Sequence, residues 1–184
     1  MITTQVGGTY SRVADPDWDD PLDTDFSFAS GGRWNAPGTF PVLYLNETLG
    51  AARANVSMRL AEQRRLGITL DMLDPWGLPV LIDVLVSPGT AVDLTSDDGL
   101  AAVGLPMSYP LDASGEQVDH ACCRSVGAAA HEAMLQGIRA RCAAPGAGRD
   151  DLELAWFRDN GGRAELIGTP RSFRDWFSIR QVTE

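Results

Sequence analysis

The chain has 184 residues, 44% of them hydrophobic, which is enough for one domain with a substantial core and short for two. A formal charge of −10 argues against direct binding to a nucleic-acid backbone, which needs a basic stripe, and no basic amphipathic segment suits a membrane surface. No apolar run approaches the roughly 18 residues of a membrane span, and MITTQVGG has neither the basic nor the apolar part of a leader, so a cytoplasmic protein is expected.

Residues 8–14 read as a first strand, with Tyr10, Arg12 and Ala14 on one face and Val13 on the other. Residues 15–30, rich in Asp, Pro and Ser, read as a long irregular connection, a kind of loop that often serves a site. In GGRWNAPG, Gly31 and Gly32 allow close approach of the backbone to a ligand. Arg33 adds a planar five-donor fork and Trp34 a flat face, a pairing that suits a phosphate beside a ring. Asn35, Pro37 and Gly38 turn the chain into the apolar strand PVLYLN, which carries Tyr44.

A long helix is expected from about Glu47 to Leu66, with Glu47 in its first turn, Gly67 as its cap and Leu49, Ala52, Val56 and Leu60 as its apolar stripe. Asn55 lies beside that stripe among alanines, where small neighbours leave room for a ligand. Pro79–Gly89 reads as a central strand, AVDLT as a short one, and Ser96 as the N-cap of a short helix. A loop spans 104–116, and a second long helix, Val118–Leu135, offers Ala121, Ser125, Ala128 and Ala129 as a small packing face. GIRARCA and LELAWF should pair antiparallel across PGAGRD, RAELIG adds a strand, and SFRDWF forms a short amphipathic cap. Three cysteines, two of them adjacent, make a poor disulfide framework, and with two histidines they give no metal-ligand spacing, so no metal is expected. Cys122 and Cys123 read as buried on a helix face.

TYSRVADPDWDDPLD, GGRWNAPGTFPVLYLNETLGAARANV and HEAMLQGIRARCAAPG together resemble the RES domain family over most of residues 9–157. The resemblance implies an α+β fold: a single domain, here residues 1–184, with an ADP-ribosyltransferase-like mixed β-sheet core and two main helices. It also implies a toxin that consumes NAD+ as its substrate, with phosphate a candidate co-substrate, and that is held inactive by a helix-turn-helix, Xre-like antitoxin, often as a dimer. Arg12 takes the place of the family's arginine. Counted along the helix after Tyr44, the family's glutamate falls on Asn55, and its serine falls on Cys142.

Cleaving the nicotinamide–ribose bond builds positive charge on the ribose. Arg12 and Arg33 suit the diphosphate, Tyr44 and Trp34 the nicotinamide, and a carboxylate would oppose the ribose charge. Asn55 can bond a ribose hydroxyl but carries no charge. Glu47 and Glu62 sit about 10–12 Å along the helix, too far to replace a carboxylate readily, and Glu153 on a neighbouring strand stays open as an alternative. Cys142 keeps the size of serine with weaker hydrogen bonding, and Arg139 and Arg141 nearby could lower its pKa.

The expected catalytic set is therefore Arg12, Arg33, Tyr44, Asn55 and Cys142, with Trp34 added for NAD+ binding. Three activities fit it: an NAD+ glycohydrolase or phosphorylase, a mono-ADP-ribosyltransferase acting on a protein, and an NAD-binding or regulatory module whose catalysis Asn55 and Cys142 have impaired.

Overall fold

β1 (Thr3–Ala14) starts well before Gly8 and buries Val6, Tyr10 and Ala14. The computed structural model describes residues 1–69, 72 and 77–177. The connection after β1 contains a short helix, α1 (Asp25–Ser30), that composition concealed. β2 (Leu43–Asn46) follows, then α2 (Leu49–Arg65). The N-cap of α2 is Thr48, whose Oγ1 accepts from the Ala51 N–H at 3.1 Å and donates to Asp151 at 2.7 Å. Glu47 thus stays outside the helix and pairs with Arg139. The buried positions of α2 are Ala51, Ala52, Ala54, Val56 and Leu60, while Leu49 is exposed.

Pro79–Gly89 and AVDLT join into one strand, β3 (Val80–Leu94), which carries Pro88 and Gly89 through the bend. A register shift in its partner β1 between Val6 and Gly8 absorbs the irregularity. α3 (Asp97–Ala101) has Ser96 as its N-cap, as the sequence suggests. α4 (His120–Glu132) buries Cys123, Val126, Gly127 and Ala130, a spacing of i, i+3, i+4, i+7. The expected small face fails here, since Ala121, Ser125 and Ala129 face outward. So does Cys122, whereas Cys123 is buried. β4 (Gly137–Arg141), β5 (Leu152–Trp156), β6 (Ala164–Arg171) and α5 (Phe173–Trp176) complete the described chain.

The strands lie in the order β1-β2-β5-β4-β3-β6, and β1 also pairs antiparallel with β3 from Thr3–Val92 to Ala14–Val80. That second pairing closes β1, β2, β5, β4 and β3 into a ring, with β6 on the free part of β3. Among the described residues only β3 and β4 run parallel, and the crossover they need contains α3 and α4. Inside the ring, Tyr10, Leu43, Leu45, Val84, Leu154 and Trp156 share one apolar cluster. Outside it, α4 packs Cys123, Val126 and Ala130 against Val92, Ile138, Ala140 and Ala155. α2 packs Ala52, Val56 and Leu60 against Leu81, Phe173 and Trp176. The result is an α+β mixed sheet whose two longest helices cover different parts of one outer face. Among the described residues, no helix is long and apolar enough to cross a membrane.

Candidate functional site

The loop between α1 and β2 is pinned by Asn35, which is fully buried. Its amide donates to the carbonyls of Ser27 (2.7 Å) and Phe40 (3.0 Å), and its Oδ1 accepts from the Tyr44 hydroxyl at 2.9 Å. Tyr44 in turn accepts from the Trp34 backbone N–H at 3.1 Å. A side chain on Gly32 would collide with the Tyr44 hydroxyl, and one on Gly127 of α4 would overlap the Trp34 carbonyl. Glycine at these two places lets the loop lie flat between β2 and α4. Arg124 of α4 holds it from above by donating to the Gly32 carbonyl at 3.0 Å.

The loop forms one wall of a cavity of about 520 Å³, within the range of small-molecule sites. Arg12, Arg33, Tyr44 and Asn55, four of the residues singled out in the sequence, line it together. They come from β1, the loop, β2 and α2, which meet only through the closed sheet. The Arg33 fork reaches Gln117 Oε1 at 3.1 Å and the Val118 carbonyl at 3.4 Å, so the head of α4 holds it at the rim. Arg12 donates to the Asp23 carbonyl at 3.2 Å and lies 5.4 Å from the Trp18 ring centroid. Burial lowers its pKa to about 10, offset in part by Asp23 and Asp20, which leaves it a cation at neutral pH. Its Nη1 is buried without a partner. Burial raises the pKa of Tyr44, whose hydroxyl therefore stays protonated.

Two expectations are corrected. Trp34 presents no face to the cavity: it is wholly buried in the cluster under α4, with its ring centroid 6.0 Å from that of Tyr109. The loop turns it inward because its neighbour Asn35 is anchored beneath, so Trp34 positions the loop and does not stack on a ligand. Cys142 is buried as well and lines an adjoining cavity, of about 590 Å³, that shares Gln117, Ala143 and Ala144 with the first. The arginines expected to activate its thiol are committed elsewhere, Arg139 to Glu47 and Arg141 to Asp97. Burial, with Glu153 adding to it, pushes the Cys142 thiol up to about 12. It touches the site through Asn55, whose Nδ2 lies 3.8 Å from its sulfur.

Asn55 Nδ2 also donates to Asn46 Oδ1 at 3.0 Å, while Asn46 Nδ2 donates to the Ser11 carbonyl at 3.2 Å. Directly across the β2–β5 ladder from Asn46 stands Glu153. Its carboxylate completes the cavity floor and is the sole Asp or Glu side chain in that lining among the described residues. Burial pushes its pKa up to about 7, against the pull of Arg33 and of the nearby Trp34 indole and Cys142 thiol. A neutral amide and an ionisable carboxyl thus share a cavity lined by the guanidinium groups of Arg12, Arg33 and Arg59, with the Cys142 thiol in the adjoining cavity.

Sequence reasoning missed Asn35 and Asn46 as positioning residues. The signal for Asn46 was a polar residue ending an apolar strand. Among the described residues, no group of three or more His, Cys, Asp or Glu side chains is placed to hold a metal ion.

A closed mixed sheet with an arginine-lined cavity defines a small α+β domain. The RES domain profile matches residues 9–175, and the chain belongs to the RES domain family. The toxin–antitoxin complex MbcT–MbcA of M. tuberculosis contains a chain of similar fold. The likeness has a TM-score of 0.71 and 22% sequence identity, and covers 95% of this chain and 89% of that one. No curated protein sequence gives a significant match.

Proposed function

We propose that this chain is the toxin of a toxin–antitoxin pair and that its cavity binds NAD+ and cleaves the nicotinamide–ribose bond, as a glycohydrolase or phosphorylase. The observation that carries this reading is the convergence of Arg12, Arg33, Tyr44, Asn55 and Glu153 on one cavity of about 520 Å³. Two arginines match the diphosphate, because a guanidinium fork gives paired, charge-assisted donors to phosphate oxygens. The Tyr44 ring offers an edge for the nicotinamide, and its hydroxyl, fixed by Asn35 and Trp34, cannot rotate freely. Asn55 offers a hydrogen bond to a ribose hydroxyl. The Arg33 side chain already sits at hydrogen-bonding distance from Gln117, so phosphate binding asks for little reorganisation there.

The partner in this reading is an antitoxin protein of the Xre-like helix-turn-helix class. Membership of the RES domain family supports it, as does a similar fold in a chain solved together with its antitoxin. So does the rim of the cavity, where Trp18, Phe26 and Met58 expose 43%, 79% and 44% of their surface. Apolar side chains gathered at the mouth of a polar cavity suit a protein that covers it.

Incubation of the purified chain with NAD+, followed by separation of the products with and without phosphate, tests the reaction class. Free ADP-ribose identifies water as the acceptor, and ADP-ribose 1″-phosphate appearing only with phosphate identifies a phosphorylase. Labelled ADP-ribose bound to protein would instead identify a transferase. Intact NAD+ that fails to raise the melting temperature contradicts the proposal.

A further inference from the structure

We propose that Glu153 is the acid of this site and faces the ribose carbon at which the glycosidic bond breaks, supplying from β5 the charge that Asn55 lacks on α2. The inference rests on the reading of the cavity as an NAD+ site.

Three observations on this chain carry it. Glu153 is the single acidic side chain of the cavity lining among the described residues, and it shares that lining with Arg33, Tyr44 and Asn55. Its place opposite Asn46 sets it beside the Asn46–Asn55 hydrogen bond, and Tyr44, two residues before Asn46, projects from the same side of the sheet. The third observation is the absence of a structural task. Other acids here are employed: Asp93 in the turn at Thr95, Asp97 on Arg141, Asp151 on the cap of α2, Glu47 on Arg139. Among the described residues, no ion pair includes Glu153, and the donors close to its carboxylate are the Trp34 indole and the weakly donating Cys142 thiol. The indole N–H of Trp34 points to the carboxylate without reaching close hydrogen-bonding geometry, and it lowers the carboxyl's pKa only in part. A half-buried carboxylate with no ion-pair partner costs stability, so the fold has little use for its charge and a cationic transition state would.

The groups around it set its charge. Arg33 approaches from the loop, Tyr44 from β2, Cys142 from the end of β4, Tyr109 from the connection before α4, and Cys123 from α4 itself. α2 contributes the neutral Asn55 and, in the same cavity lining, Arg59, while α4 adds His120, whose pKa burial and the nearby Arg33 and Arg124 hold below its ordinary value. Arg33 is the cation that pulls the Glu153 pKa down. Burial pushes its pKa up to about 7, against the pull of Arg33, so the carboxyl changes charge within the neutral pH range.

In the cleavage, the bond between ribose C1′ and the nicotinamide nitrogen breaks and its electron pair goes to that nitrogen. The pyridinium becomes neutral nicotinamide, and its positive charge moves to the ribose. The Glu153 carboxylate opposes that charge. When water is the acceptor, its oxygen bonds to C1′ and the proton it loses passes to Glu153 and then to solvent.

The test compares nicotinamide release by the wild type and Glu153→Gln at saturating NAD+, with melting curves to confirm that both fold, and follows the wild-type rate from pH 6 to pH 8.5. A fall of about 10²–10³-fold in kcat with KM little changed is expected, together with a wild-type rate that rises through pH 7. A Glu153→Gln rate within threefold of wild type, or a wild-type rate flat from pH 6 to pH 8.5, overturns the role of Glu153 while leaving the cavity an NAD+ site. Should Glu153→Gln fail to fold, the pH profile decides alone. Wild type that releases no nicotinamide overturns both this inference and the reading beneath it.

Discussion

Asn46 stands directly opposite Glu153 in the ladder between β2 and β5, and the same Asn46 accepts the 3.0 Å hydrogen bond from Asn55. One asparagine therefore joins Asn55 of α2 to Glu153 of β5. The amide–amide bond satisfies Asn55 without a charge on this part of α2. An asparagine pair satisfies itself, whereas a glutamate at 55 beside Glu153 would put two carboxylates on one wall and raise the pKa of one of them.

Replacing Glu153 with glutamine is expected to stabilise the protein in a pH-dependent way. The folded-state carboxyl titrates near 7, against about 4.3 in an unfolded chain. Between those values the unfolded chain binds fewer protons, so wild-type stability falls as pH rises from about 4.3 to about 7 and is then level. Glu153→Gln should match wild type near pH 4 and exceed it at pH 8 by on the order of 1–3 kcal/mol. Urea denaturation at the two pH values checks this, and an equal effect at both would show that the charge is not disfavoured.

Arg33→Ala is expected to weaken NAD+ binding about 10- to 100-fold, the worth of one or two charge-assisted hydrogen bonds. Arg33→Lys should recover only part of the loss, since an ammonium keeps the charge without the fork. Calorimetric titration of NAD+ into each variant measures the difference.

Gly127→Ala should be destabilising by roughly 1–3 kcal/mol, because the added methyl overlaps the Trp34 carbonyl and either α4 or the loop must move. The denaturation midpoint reports the cost. Nicotinamide release should fall too, since the loop carries Arg33, while a neighbouring exposed change such as Ala129→Ser leaves both unaltered.

Cys142 should behave as a buried neutral thiol. Its pKa is pushed up to about 12 by burial, and a thiolate is the reactive form. A thiol reagent at pH 8 should therefore modify Cys122 rapidly in the native protein and reach Cys123 and Cys142 only after unfolding. Rapid labelling of Cys142 would revive a nucleophilic role for it.

Much of this molecule is written in local patterns. The β4–β5 hairpin announces itself through two apolar runs around PGAGRD, and Ser96 announces α3. Arg12, Arg33, Tyr44 and Asn55 were identifiable by residue type and resemblance, and they line one cavity. What local pattern could not supply was the closure of β1 onto β3, a pairing of residues as distant as Thr3 and Val92. Without that ring, the inner and outer faces of the strands are not defined. The face of α4 was misjudged for a related reason: alanine and serine are small on either side of a helix, and the choice of Gly127 was made by the Trp34 carbonyl against it. Trp34 looked like a ligand platform because it adjoins Arg33, but a loop anchored by Asn35 sends neighbouring side chains opposite ways. Glu153 did leave a trace, as the one charged residue inside LELAWF. Its parity with Ala155, opposite to that of Leu154 and Trp156, set it on the outer face with Asn46.

The central claim is that this cavity cleaves NAD+. Its most direct test is the time course of nicotinamide release by the purified wild type beside Arg33→Ala at pH 7.5, with phosphate present. Linear release by the wild type, reduced at least tenfold in Arg33→Ala, is the predicted result. Release no faster than in a protein-free control, or release that Arg33→Ala leaves unchanged, would contradict it.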